Sequence, residues 1–128
     1  MTPDVVLLAV EWQPRALLRA QLIEEGFDVV ATNRWPAMRR HLRPGSKPEL
    51  AIIDLKGLPN PSDVLRDVRV LMKPARVLVL TAMGTIAPDE VAALGFQTVS
   101  RPIALGDVAR RAAAAIRSLR RQADHSDQ

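Results

Sequence analysis

Leu50-Ala51-Ile52-Ile53-Asp54 places four consecutive apolar side chains directly before one aspartate. Because this run has no polar alternation, it predicts a short strand that is covered on both faces. Two further apolar runs, residues 5–10 and 77–80, have the same character. Strands of this kind are typical of a parallel sheet between two layers of helices, so the pattern predicts an α/β domain.

Helical patterns separate the strand-like runs. Pro14 fits the first turn of a helix, Leu18 and Leu22 give that helix an apolar stripe, and Gly26 fits its end. Asn33 is a candidate N-cap of the second helix, and Ser62 or Asn60 could cap the third. The pattern continues through weaker strands at 27–31 and 96–99 to a last helix over 105–121. Five strands alternating with five helices therefore predict an open, doubly wound parallel sheet.

The length and composition predict one domain, residues 1–121, followed by a polar tail, residues 122–128. The chain has no cysteine, which excludes disulfides, thiolate zinc sites and cysteine nucleophiles. With two Trp, two Phe and no Tyr, a broad surface for stacking nucleic-acid bases is not expected. No apolar run is long enough for a membrane span, and we expect a cytoplasmic protein.

The formal charge is +4, and most of the basic residues are arginines. Several of these arginines lie off the apolar stripe of the last helix, at Arg110, Arg111, Arg117, Arg120 and Arg121. They indicate either a solvated face, a contact with a protein or a contact with a nucleic-acid backbone.

The residues that follow the predicted strands are the candidate functional residues, because parallel sheets place their sites at the carboxyl ends of their strands. These residues are Glu11, Asp54, Thr81, and the pair Arg101-Pro102. No glycine-rich phosphate loop and no nucleophile-elbow motif is present, so nucleotide binding and serine-hydrolase chemistry have no support.

Three segments carry a resemblance to a known family: Ile52-Ile53-Asp54-Leu55, Leu80-Thr81-Ala82 and Ser100-Arg101-Pro102. Each segment follows the strand after which the family has it. The chain therefore resembles the receiver domain of bacterial two-component response regulators over residues 4–120. The resemblance implies a flavodoxin-like fold with five parallel strands in the order 2-1-3-4-5 and five helices. It also implies that Asp54 occupies the phosphoacceptor position, where a carboxylate forms an acyl phosphate.

The family's acidic pair after the first strand, which holds a divalent metal, is not intact in this chain. Counting back from the glycine that ends the first helix places Ala9 and Val10 there, and counting forward from the apolar run places Glu11 and Trp12. Glu11 with Asp54 would offer Mg²⁺ too few oxygen ligands. We therefore expect a degenerate receiver with no firm metal site and with impaired phosphorylation at Asp54.

The resemblance gives the remaining candidates roles with open alternatives. Thr81 would bind a phosphoryl oxygen or else satisfy local backbone groups. Arg101-Pro102 stands where the family has Lys-Pro with a cis peptide bond. The planar guanidinium of Arg101 would pair bidentately with Asp54 and hold the site in one state, or else be solvated. Thr98 stands where the family often has an aromatic switch residue.

We interpret the sequence as a stand-alone, atypical receiver that acts as a signal-transduction interaction module without enzymatic turnover. Its expected partner is a histidine kinase or a downstream effector protein, or a second copy bound through the last helix. One alternative is a conventional phosphoacceptor receiver in a phosphorelay. A second is a basic adaptor that contacts nucleic acid.

Overall fold

The chain forms a five-stranded parallel sheet in the computed structural model, which describes residues 2–101 and 104–126 and side chains up to residue 124. The strands are β1 (Val5–Leu8), β2 (Val29–Thr32), β3 (Leu50–Asp54), β4 (Val77–Leu80) and β5 (Gln97–Val99). They pair in the order β2-β1-β3-β4-β5, and all four pairings are parallel. The predicted doubly wound fold and its strand order are confirmed.

Within those ranges, five α-helices and one short 3₁₀ turn, Pro74–Arg76, accompany the strands. The helices are α1 (Trp12–Glu24), α2 (Trp35–Arg39), α3 (Pro61–Leu71), α4 (Pro88–Ala93) and α5 (Leu105–Ser126). Helices α1 and α5 pack on one face of the sheet, and the other three pack on the opposite face. None of the described helices combines the length and the apolar character that a membrane crossing requires.

The middle strand β3 divides the core into two halves. Leu50 and Ile52 pack toward α1 and α5, whereas Ala51 and Ile53 pack toward α3. Successive side chains of a strand point to opposite faces, so an unbroken apolar run supplies both halves at once. All five residues of β3 are buried, including Asp54 at its end.

Two predicted strand boundaries shift. β1 ends at Leu8 and not at residue 10, because the Arg15 side chain binds the carbonyl groups of Ala9 and Val10 beyond the ladder. β2 begins at Val29 and not at residue 27, because the Phe27 N–H donates to the Leu22 carbonyl at the end of α1. In both cases a contact with α1 removes backbone from the sheet.

Of two predicted helix N-caps, Asn33 is wrong and Asn60 is confirmed in position. Arg34 and not Asn33 lies at the N-cap of α2, and Pro36 in the first turn sets the backbone angle there. Asn60 does lie at the N-cap of α3, but in a left-handed conformation with no side-chain capping bond.

The last helix extends past the predicted end at Arg121 and continues to Ser126. Residues 121–126 contain neither glycine nor proline, so no residue in that segment stops a helix. The core stripe of α5 is confirmed at Val108, Ala112 and Ile116, which are all buried.

Gly26 ends α1 with a φ of 97°, and its N–H donates to the Ile23 carbonyl. We expect Gly26→Ala to lower the free energy of unfolding by about 1 kcal/mol, because an L side chain is strained at this angle. Gly106→Ala is the matched control, since an added Cβ at this helical position lies 3.4 Å from the flexible Arg110 guanidinium. Urea unfolding should show the control to be neutral or stabilised, and equal losses for both variants would contradict the backbone strain assigned to a side chain at position 26.

Candidate functional site

The sheet register brings the candidate residues to one edge. Asp54 lies opposite Leu80 in the β3–β4 pairing, and Thr81 follows Leu80 directly. Leu80 in turn pairs with Val99 of β5, two residues before Arg101. The carboxyl ends of three neighbouring strands therefore converge, as the sequence predicted for these positions.

Asp54 and Arg101 form a bidentate ion pair at this edge. The Arg101 Nη1 donates to Asp54 Oδ1 at 2.8 Å, and Nη2 donates to Oδ2 at 2.7 Å. The Asp54 side chain is 5% exposed and that of Arg101 is 25% exposed. The predicted pairing is confirmed, and the alternative of a solvated Arg101 is wrong.

The Arg101 guanidinium also contacts the end of β4, the strand that lies between β3 and β5. Arg101 Nη1 donates to the Thr81 carbonyl oxygen at 3.0 Å, just past the end of β4. Asp54 Oδ1 accepts a further bond from the Lys56 backbone N–H at 3.0 Å. The Arg101 guanidinium, which comes after β5, thus binds the carboxyl ends of both β3 and β4.

The pKa of the Arg101 guanidinium is raised above its ordinary value. The main cause is its hydrogen bonding to Asp54, and the negative charges of Asp54 and Glu11 act in the same direction. Partial burial acts the other way without cancelling these effects. Arg101 therefore remains a cation throughout the pH range in which proteins are normally handled.

Thr81 is buried, and its hydrogen bonds are local. Its hydroxyl donates to the Val99 carbonyl at 3.4 Å, and its backbone N–H donates to the same oxygen at 3.0 Å. Local backbone bonding, one of the two roles open in the sequence, is thus present, and the binding of a phosphoryl oxygen stays a prediction. Thr98, which stands at the position of the family's aromatic switch residue, is partly exposed in β5. Pro102 lies outside the described residues.

The residues after β1 do not suit a hard metal ion. Arg15 Nη1 donates to the carbonyl oxygens of Ala9 at 2.9 Å and Val10 at 3.0 Å. The aliphatic Val10 side chain lies beside Gly57, where an added Cβ would be 3.7 Å from Val10 Cγ1. No local sequence pattern indicates that the Arg15 side chain binds these carbonyl oxygens.

Glu11, the remaining acidic candidate, pairs with Lys56 Nζ at 3.4 Å, and both side chains are about half exposed. Across the described ranges no group of three or more His, Asp or Glu residues is arranged to hold a metal ion. With a guanidinium on both Asp54 oxygens, the residues present do not fit the Mg²⁺ site that the receiver family implies.

Several arginines of the last helix bind within the molecule. Arg120 pairs with Glu49 at 2.7 Å and with Asp4 at 3.4 Å, which raises its pKa mainly through the hydrogen bonds to Glu49. Arg117 pairs with Glu25 at 3.4 Å. Both guanidinium groups lie over the Phe27 ring, at 5.8 Å for Arg117 and 5.6 Å for Arg120. These contacts join α5 to the opposite, amino-terminal edge of the sheet.

No family model and no curated protein matches this sequence. Solved structures do match it. A signal receiver domain from a Vibrio parahaemolyticus protein named as a Luxo repressor is 21% identical, with a TM-score of 0.77 and coverage of 95% of each chain. A CheY-like response regulator receiver domain protein from Methanospirillum hungatei JF-1 is 12% identical, with a TM-score of 0.77 and coverage of 95% of this chain and 99% of that one.

The same fold occurs within a longer chain. NtrX from Brucella abortus is 17% identical with a TM-score of 0.77, and the match covers 99% of this chain but 29% of NtrX. At these identities the comparisons establish the architecture. The chain has the fold of response-regulator receiver domains.

The ion pair predicts an asymmetric response to mutation. We expect Arg101→Ala to lower the free energy of unfolding by about 2–4 kcal/mol, because it leaves the buried Asp54 carboxylate without its cation. Asp54→Ala should cost less, since the partly exposed Arg101 can turn to water. Denaturant unfolding of both variants and of the double variant measures the coupling between the two residues. A loss below about 0.5 kcal/mol for Arg101→Ala would refute the structural role of the pair.

Proposed function

We propose that this chain is a signalling interaction module on the receiver fold, in which the Arg101–Asp54 ion pair replaces a phosphate-dependent switch. The observation that carries the proposal is the bidentate contact, which engages both carboxylate oxygens of Asp54. The proposed activity is the binding of a partner signalling protein in the cytoplasm, without enzymatic turnover. A kinase or a downstream effector fits this role, as does a second copy bound through the last helix.

The chemistry of Asp54 supports impaired phosphorylation. Acyl phosphate formation requires a carboxylate oxygen to attack phosphorus, and both oxygens here accept charge-assisted hydrogen bonds. Charge neutralisation during phosphoryl transfer normally falls to a bound cation held by acidic residues. Ala9 and Val10 supply no such ligands, and Glu11 pairs with Lys56. Asp54 is thus better suited to a fixed ion pair than to phosphoryl transfer.

The position of Arg101 supports action without phosphate. Its guanidinium contacts Asp54 after β3 and the Thr81 carbonyl after β4, so the loops at this edge are tied together by a permanent charge. A ligand can shift an equilibrium only by binding two states differently. With the cation already in place, we propose that the partner-binding surface is present constitutively.

Phosphorylation can be tested directly by intact mass after incubation with acetyl phosphate and Mg²⁺. We expect the wild-type protein and Asp54→Ala to remain unmodified, while a conventional receiver with an intact acidic pair gains one phosphoryl group. Val10→Asp combined with Arg101→Lys should gain labelling at Asp54, because it adds a carboxylate beside the site and removes the bidentate fork.

Two outcomes would decide against the proposal. Stoichiometric labelling of the wild-type chain that disappears in Asp54→Ala would establish the conventional phosphoacceptor. Partner binding that requires acetyl phosphate would do the same. Circular dichroism of each variant confirms that the fold is retained before labelling is compared.

A further inference from the structure

The chain has two basic segments without an acidic residue: residues 108–123 of α5, with five arginines, and a second segment in α2 and the loop that follows it. Residues 34–47 contain five basic residues and no acidic residue. The whole chain has 18 basic and 14 acidic residues, so the rest of it holds 13 basic residues against 14 acidic ones. The five are Arg34, Arg39, Arg40, Arg43 and Lys47. Residues 34–47 therefore carry five positive charges, and the rest of the chain has a net charge of −1.

These five side chains are exposed and make no ion pair or side-chain hydrogen bond within the described part of the chain. The last helix differs, because its Arg110, Arg117 and Arg120 pair with acidic side chains of the same molecule. Ion pairs thus neutralise part of the basic charge of α5, whereas none of the described ion pairs involves the α2 segment.

Three of the unpaired cations surround an apolar crevice of about 480 Å³. Arg39, Arg40 and Arg43 line it. Its remaining walls are apolar side chains from α2, α3 and the loop after α2: Trp35, Pro36, Leu42, Pro44 and Leu71. We call this feature the α2 crevice. Arg34 lines a separate cavity with the acidic residues Asp63 and Asp67, so its charge is partly balanced there.

The α2 crevice is built on an anchored segment. Met38 and Leu42 are fully buried in the core beneath it. The N–H groups of His41 and Leu42 donate to the carbonyls of Met38 and Arg39 at 2.9 and 3.0 Å. A surface that is ordered before binding loses less conformational entropy on association.

We propose that the α2 crevice binds an acidic segment of a partner protein, which inserts an apolar side chain between Trp35 and Leu71 while its carboxylates pair with Arg39, Arg40 and Arg43. The combination of an apolar floor with unpaired cations around it complements an acidic, amphipathic peptide. A nucleic-acid backbone would use the charges but would leave the apolar floor unfilled. The proposal specifies the partner chemistry of the signalling module, and it shares no residue with the Asp54–Arg101 pair.

The test uses two fluorescein-labelled synthetic peptides of equal charge. One is an amphipathic helix former of Glu and Leu, and the other has Ser in place of each Leu. We expect the Glu/Leu peptide to bind more tightly by fluorescence anisotropy and to weaken as salt is raised. R39Q/R40Q/R43Q should weaken binding by at least about tenfold, whereas R19Q/R111Q/R121Q, which removes the same charge from other exposed positions, should stay within about twofold.

Tryptophan fluorescence locates the bound peptide. The chain has two tryptophans, so Trp12→Phe leaves Trp35 as the reporter in the crevice. We expect the Glu/Leu peptide to shift Trp35 emission to shorter wavelength as the ring is further buried, and the Ser peptide to have a smaller effect.

Several results would overturn the proposal: no binding of the Glu/Leu peptide at low salt, equal losses in the two triple variants, or tighter binding of a mixed-sequence DNA duplex. Self-association that is lost in R39Q/R40Q/R43Q would assign the crevice to a second copy instead. Labelling of Asp54 by acetyl phosphate is measured separately on the same wild-type protein. Loss of peptide binding without labelling therefore refutes the crevice alone, whereas labelling refutes the phosphate-independent switch.

Discussion

A carboxylate at the end of a strand that is buried on both faces needs a compensating charge, and Asp54 is in this position. β3 is the middle strand of the sheet, and the Asp54 side chain at its end is only 5% exposed. The compensation comes from Arg101, two strands away, whose guanidinium spans the end of β4 and binds the Thr81 carbonyl on the way. The arrangement of the carboxyl edge follows from this requirement.

Fixed cations organise the same edge at two further points. Arg15 holds the carbonyl groups of Ala9 and Val10, and Lys56 pairs with Glu11. A hard metal ion would need oxygen ligands at these positions, and here the oxygens are directed toward arginine and lysine side chains instead. The described groups at this edge therefore balance one another's charge, and the proposed phosphate-independent interaction module rests on this arrangement.

Basic residues serve two different purposes in this fold. At the amino-terminal edge of the sheet, Arg117 and Arg120 join α5 to acidic residues and to the Phe27 ring, so their charge contributes to the tertiary structure. Around the α2 crevice, Arg39, Arg40 and Arg43 form no ion pair with the described residues and leave a positive potential on the surface. Unpaired surface charge can attract a charged partner, whereas charge in ion pairs stabilises the fold, so α2 is the surface better suited to a partner.

The sequence by itself determined the α/β architecture, because unbroken apolar runs such as residues 50–53 can be satisfied only between two helical layers. It also placed Asp54 and Thr81 at the ends of their strands, because each is the first polar residue after an apolar run, and the family resemblance placed Arg101 after β5. Only the tertiary structure decided what these groups bind. The choice between a paired and a solvated Arg101, the contact of Arg15 with the carbonyls after β1, and the pairing of the α5 arginines all depend on distances between residues far apart in the chain, which no local pattern encodes.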